Sequence, residues 1–185
     1  LYCELPLAAD LPALVAAVKR TGARAKIRTG GTEAVDFPAP EVILAFLAAC
    51  RAEGLPFKAT AGLHHPVRGS AALTYAPGSP CATMFGYLNL VLAASLLWEG
   101  RPEASALALL TAEDRGGLRL EREWVDWAGV RITAGEIARA RRDFLPAIGS
   151  CSFTEPMGEI AELGLEVGGV EAGSAVTGNR EEGTR

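Results

Sequence analysis

The run R-A-K-I-R-T-G-G at residues 24–31 and, one helix later, P-F-K-A-T-A-G-L-H-H-P at residues 56–66 decide how the rest of the chain is read. Each is a short β-like run with a lysine in its middle, Lys26 and Lys58, and each ends in Thr and Gly. Buried strands rarely carry lysine unless it has a partner or a task. Between the two runs Pro40 opens a helix. Its Val42, Ile43, Phe46, Leu47 and Cys50 recur on one face, and Gly54 ends it. Strand, helix and strand joined by short loops is the pattern of parallel pairing with right-handed crossovers.

Working outward, residues 1–7 read as a strand limited by Pro6, followed by a helix with Asp10 as cap and Pro12 in its first turn. Strands are expected over residues 1–7, 23–29, 55–61 and 147–153. A (β/α)₈ barrel has eight strands and roughly 250 residues. The fold class read here is therefore α/β, with parallel (β/α) units forming the C-terminal half of a TIM-like barrel that carries a helical insertion. The other half would lie upstream, since the chain opens on Leu1 directly in a strand; a self-paired homo-oligomer and an open four-stranded sheet are the alternatives. The half-barrel domain spans residues 1–166, with the insertion at about 64–132. Within it, residues 64–82 read as a long Gly/Pro/Ser/Thr loop of the kind that forms lids. Helices follow over 83–99, with Gly86 a weak point, and 102–112, and 116–132 is a hairpin or an excursion. Thr133 caps a helix at 134–144 with Glu136 three residues on, and a short helix runs over 155–163. Residues 167–185, poor in large apolar side chains, read as a disordered tail.

The 185 residues make one domain, 49% apolar and 22% charged. A net charge of −4 and a pI near 5.3 argue against a nucleic-acid partner. No apolar run reaches the roughly 18 residues of a spanning helix, and no basic leader precedes one, so no membrane partner is expected. Cys3, Cys50, Cys81 and Cys151 form no C-x-x-C pair and read as reduced thiols of a cytoplasmic protein.

Strand side chains alternate between faces. Lys26 and Arg28 share one face in the second run, and Lys58 and Thr60 share one in the third. In the first, Tyr2 and Glu4 oppose Cys3 and Leu5; in the fourth, Ser150 and Ser152 oppose Cys151 and Phe153. Helices would cover the apolar face and leave the polar one to a lumen, where barrel active sites sit. Glu4 with Lys26 or Arg28 is one possible ion pair. Three cations to one carboxylate leave room for a missing anion. Gly30, Gly31 and Gly62 at the strand ends, with Gly149 and Ser150, add backbone N–H groups suited to phosphate.

K-I-R-T-G-G, F-K-A-T-A-G-L and G-S-C-S-F together resemble the last three strands of deoxyribose-phosphate aldolase-type class I aldolases. The resemblance implies a Schiff-base lysine on one strand, a second lysine on the next that activates it, and a Gly-Ser phosphate site on the last. By strand order Lys26 is the Schiff-base residue; by local motif Lys58 fits as well. The long insertion between Lys58 and Gly149 departs from that family, whose acidic proton shuttle would lie upstream. G-L-H-H-P with G-S-C-S-F-x-E-P also resembles an uncharacterised bacterial protein family, which implies no activity.

The reading that follows is a lysine-dependent, lyase- or aldolase-like barrel enzyme acting on a small phosphorylated or carboxylated carbonyl compound. Lys26 or Lys58 is its nucleophile or base, Glu4 the partner and His64 an acid/base at the rim. Arg28, Gly30, Gly31, Thr60, Gly62, Gly149 and Ser150 hold the anionic metabolite, with no cofactor and no metal. The alternatives are a non-catalytic anion-binding barrel, or a metal-dependent enzyme using His64 and His65. Trp98, Trp124 and Trp127 read as packing or a partner surface.

Overall fold

The computed structural model describes residues 1–7, 10–150 and 154–163. The expected disordered tail at 167–185, and the faces assigned to Cys151, Ser152 and Phe153, lie outside them.

Strands β1 (Tyr2–Glu4), β2 (Arg24–Arg28), β3 (Phe57–Thr60) and β9 (Ala147–Gly149) form one parallel sheet in the order β1-β2-β3-β9. These are the four runs expected from the sequence, and the chain is mixed α/β. Glu4 stands beside Lys26, Lys26 beside Lys58, Arg28 beside Thr60, and Thr60 beside Gly149. The alternation works as its chemistry dictates. Ala25, Ile27, Phe57 and Ala59 are fully buried, while Lys26, Lys58 and Thr60 on the opposite face are only partly covered and Glu4 and Arg28 are exposed.

The helices α1 (Leu11–Arg20) and α2 (Pro40–Ala52) supply Val15, Ile43, Phe46, Leu47 and Cys50 to the buried side. Asp10 Oδ1 accepts from Ala13 N at 3.3 Å and so caps α1. Phe57 meets Phe46 edge-on at 5.3 Å and Phe144 at 4.9 Å, and Phe144 stacks on Trp98 at 5.0 Å. That aromatic run joins the sheet to α2, to α3 (Tyr87–Trp98) and to the end of α5 (Ala134–Asp143). Burial removes water from the Cys50 thiol and pushes it up to about 12, so Cys50 is a core filler.

The segment expected to be a long loop is ordered differently. Residues 64–82 contain β4 (Gly69–Ala72), which pairs antiparallel with β5 (Cys81–Met84). The following helix starts at Tyr87, not 83, with Gly86 as its extended cap. A Cβ on Gly86 would lie 2.3 Å from Asn89 Oδ1 and 2.4 Å from the Pro66 carbonyl, so glycine there permits a close crossing. Buried Asn89 explains the crossing. Its Oδ1 accepts from Arg68 N at 2.8 Å, and its Nδ2 donates to Leu109 O at 2.6 Å and Ala112 O at 2.8 Å. One amide thus fastens the hairpin's entrance to the end of α4 (Glu103–Thr111).

The ambiguous residues 116–132 belong to a three-stranded antiparallel sheet of β6 (Arg119–Leu120), β7 (Trp124–Trp127) and β8 (Val130–Thr133). Ala128 and Gly129, at φ +49° and +73°, make the two-residue turn between the last two. Trp127 is packing: it is 2% exposed and donates to the Asp114 carbonyl at 2.9 Å. The Thr133–Glu136 capping box opens α5 as expected, and α6 (Thr154–Glu162) is the last described element. No described helix is long and apolar enough to cross a membrane.

Candidate functional site

A cavity of about 670 Å³ opens at the carboxyl ends of β2, β3 and β9, with the β4–β5 hairpin as its far wall. The strands bring Lys26, Arg28, Thr60, Gly149 and Ser150 to it, and the turn after β3 brings Gly62, His64 and His65. The hairpin contributes apolar Ala71, Leu73 and Met84, with Tyr75 at its tip. Thr29 sets the strand end: fully buried, it donates its hydroxyl to the Ala61 carbonyl at 2.6 Å. Ala61 and Gly62 then turn the chain through the left-handed region at φ +66° and +70°, which delivers the two histidines to the rim.

The lysines separate. Lys26 lines the cavity with its Nζ 2.6 Å from Glu4 Oε2, side chains 26% and 42% exposed. At that exposure the pair contributes at most about 1 kcal/mol. Lys58, its neighbour in register, does not line the cavity; its ammonium sits 4.8 Å from the centroid of the Tyr2 ring, a contact worth roughly 0.5–1 kcal/mol. Lys26 thus faces a carboxylate and Lys58 a ring that leaves its charge in place, so among the described residues the cations of this face outnumber the carboxylate paired with them.

The glycines separate too. A Cβ on Gly30 would lie 2.4 Å from Phe37 Cε1, and one on Gly62 2.8 Å from the same atom. Both are buried beneath that ring. A Cβ on Gly31 would meet the Asp36 carboxylate at 2.2 Å, a neighbour that repels an anion. Close approach of side chains accounts for glycine at 30, 31 and 62; Gly31 and Gly62 line the cavity with Gly149 and Ser150, and Gly30 does not. Gly30 and Glu4 line a second cavity of about 530 Å³ on the β1 side, with Asp36 and Val35, and Arg28 borders both spaces.

The polar cluster around the histidines has no signature in the sequence. His64 Nδ1 lies 3.4 Å from Ser150 Oγ. His65 Nδ1 is hydrogen-bonded to Glu159 Oε1, and Glu159 Oε2 accepts from Arg115 Nη2 at 3.1 Å. Tyr87 donates its hydroxyl to the Pro156 carbonyl at 3.2 Å. Burial, and then the Glu159 charge, push the Tyr87 phenol up to about 12. Glu159 is 94 residues from His65, and no spacing rule links them. Among the described residues no group of three or more His, Cys, Asp and Glu side chains is arranged to hold a metal ion. Cys3, Cys50 and Cys81 are free thiols.

No protein-family model, curated protein or solved structure matches the chain.

Proposed function

We propose that this chain is an α/β enzyme that binds a small phosphorylated or carboxylated carbonyl compound at the carboxyl ends of its parallel strands. One observation carries the reading: Lys26, Arg28, His64 and His65 line the cavity, and among the described residues no carboxylate does. Open α/β sheets collect ligands at that edge, and the volume suits a small metabolite. Arg28, whose guanidinium presents a planar fork to a carboxylate or phosphate, is the anion clamp. Gly149 and Ser150 complete it. The amine on the cavity is already paired with Glu4 and the other amine lies off it. The reading therefore favours proton transfer by a histidine over a lysine Schiff base.

On the same reading the uncovered polar face of the sheet is half of a TIM-like lumen, completed by further strands or a second copy, in a cytoplasmic protein whose described thiols are free. The test is calorimetric titration of wild type and Arg28→Ala with a panel of 2-oxo acids and phosphorylated aldehydes. A charged hydrogen bond of about 1.5–3 kcal/mol predicts binding weakened roughly 10- to 150-fold in the variant, and weakened in both proteins by added salt. Absence of anion binding, or binding indifferent to Arg28→Ala, would overturn the proposal.

A further inference from the structure

Two histidines line the cavity. His64 meets Ser150 at 3.4 Å, the long end of hydrogen bonding. His65 is bound through Nδ1 to a carboxylate that is itself held: Glu159 keeps its second oxygen on Arg115 at 3.1 Å. The backbone on either side is fixed as well. The His65 carbonyl accepts from Tyr87 N at 3.0 Å, and the Tyr87 hydroxyl ties down α6, which carries Glu159, through Pro156. The His65 and Glu159 side chains are only 23% and 20% exposed, and His65 lines the cavity while Glu159 does not.

We propose that His65 is the proton-transfer group of this cavity and that Glu159 is the residue that positions it. This deepens the functional reading above and rests on it for the ligand. An ionised carboxylate only accepts hydrogen bonds, so the neutral imidazole carries its hydrogen on Nδ1, and the lone pair resides on Nε2. Glu159 engages Nδ1, which leaves Nε2 as the ring nitrogen available to a ligand in the cavity that His65 lines. In the forward step the C–H bond next to the ligand's carbonyl breaks and an Nε2–H bond forms. The C–H electron pair becomes the C=C bond of an enolate, whose oxygen takes the carbonyl π pair. Glu159 stabilises the imidazolium so made, as the carboxylate does in any acid–histidine dyad. Return of the proton to carbon or oxygen restores the neutral ring, so no oxidant or other reactant is consumed. Arg115 holds Glu159 in place by engaging the oxygen that His65 does not use.

Two measurements on the intact chain test this without a known substrate. Long-range ¹H–¹⁵N correlation of ring-labelled histidine at alkaline pH reports which nitrogen is protonated. The expected result for wild type is His65 with hydrogen on Nδ1 and a bare Nε2, a pattern lost in Glu159→Ala and retained in Arg115→Ala. A wild-type His65 protonated on Nε2 would overturn the proposal by itself, even if Glu159→Ala loosened α6. The second measurement separates a working base from a structural pair. Diethyl pyrocarbonate should acylate Nε2 of His65, and inorganic phosphate should slow that reaction in step with its occupancy of the cavity. A His65 inert to the reagent overturns the proposal. So does one acylated at full rate while Arg28-dependent phosphate binding is measured in the same sample. Loss of phosphate binding altogether would instead sink the anion reading and leave the tautomer result to decide the dyad.

Discussion

Replacing Gly30 by alanine puts a methyl group where Phe37 already is. The added Cβ would lie 2.4, 2.8 and 2.9 Å from three ring carbons, whereas carbons in contact sit about 3.5–4.0 Å apart. The ring must therefore retreat by roughly 1 Å or more. Phe37 is only half-buried, so it swings outward and gives up its seat on Gly30 and Gly62. Overpacking of this kind destabilises by about 1–3 kcal/mol, which in a chain of this length lowers the melting temperature by roughly 2–12 °C. Scanning calorimetry of wild type, Gly30→Ala, Phe37→Ala and the double variant checks it. The double variant should be no less stable than Phe37→Ala alone, because the obstacle has gone. Gly30→Ala within about 0.5 kcal/mol of wild type, or a double variant whose losses simply add, would refute the packing account and return the glycine to the anion rim.

Three further outcomes are expected. Thr133→Ala should cost about 1 kcal/mol in urea unfolding near neutral pH. The Glu136 carboxyl that completes this cap is held below its ordinary range, chiefly by the Thr133 backbone N–H; its contribution should be fully present above the unfolded value of about 4.3 and disappear as pH falls through the folded value. For Tyr87 the sign is opposite. The folded phenol keeps its proton until about 12 while the unfolded one releases it near 10, so stability should decline as pH rises through that window, and Tyr87→Phe should abolish that part of the decline. Finally, borohydride reduction with the carbonyl panel should leave Lys58 unlabelled, since it lies off the cavity. A reduced adduct mapped to Lys58 by mass spectrometry would contradict the assignment of the site.

The parallel sheet was legible because Ile27, Phe57 and Ala59 alternate with Lys26, Lys58 and Thr60, a period that only a strand satisfies. The β7–β8 turn was half-legible for the same reason, Val125 and Trp127 being the inward residues. The β4–β5 hairpin was not: G-S-A-A and C-A-T-M offer small side chains with little contrast, set among glycine and proline. Its pairing comes from backbone hydrogen bonds and from the seat that Asn89 and Gly86 provide. At the site, a Glu4–Lys26 pair was among the possibilities that alternation allowed. The Tyr2–Lys58 contact has no signature in the sequence. His65 with Glu159 depends on α6 folding back over a distance no local pattern encodes.

The far wall of the cavity is a hairpin of four residues a side. Two-stranded ribbons are marginal in water on their own, so this wall is a thermometer of occupancy. Its amides should exchange with deuterium through local opening rather than global unfolding. A molecule that bridges strand ends and hairpin has to leave before the wall can open. At one hundred times its dissociation constant it would slow that exchange by about one hundredfold, or about 2.7 kcal/mol. Screening small anions for protection of residues 69–72 and 81–84 would therefore find what the cavity holds before anyone knows what is done to it there.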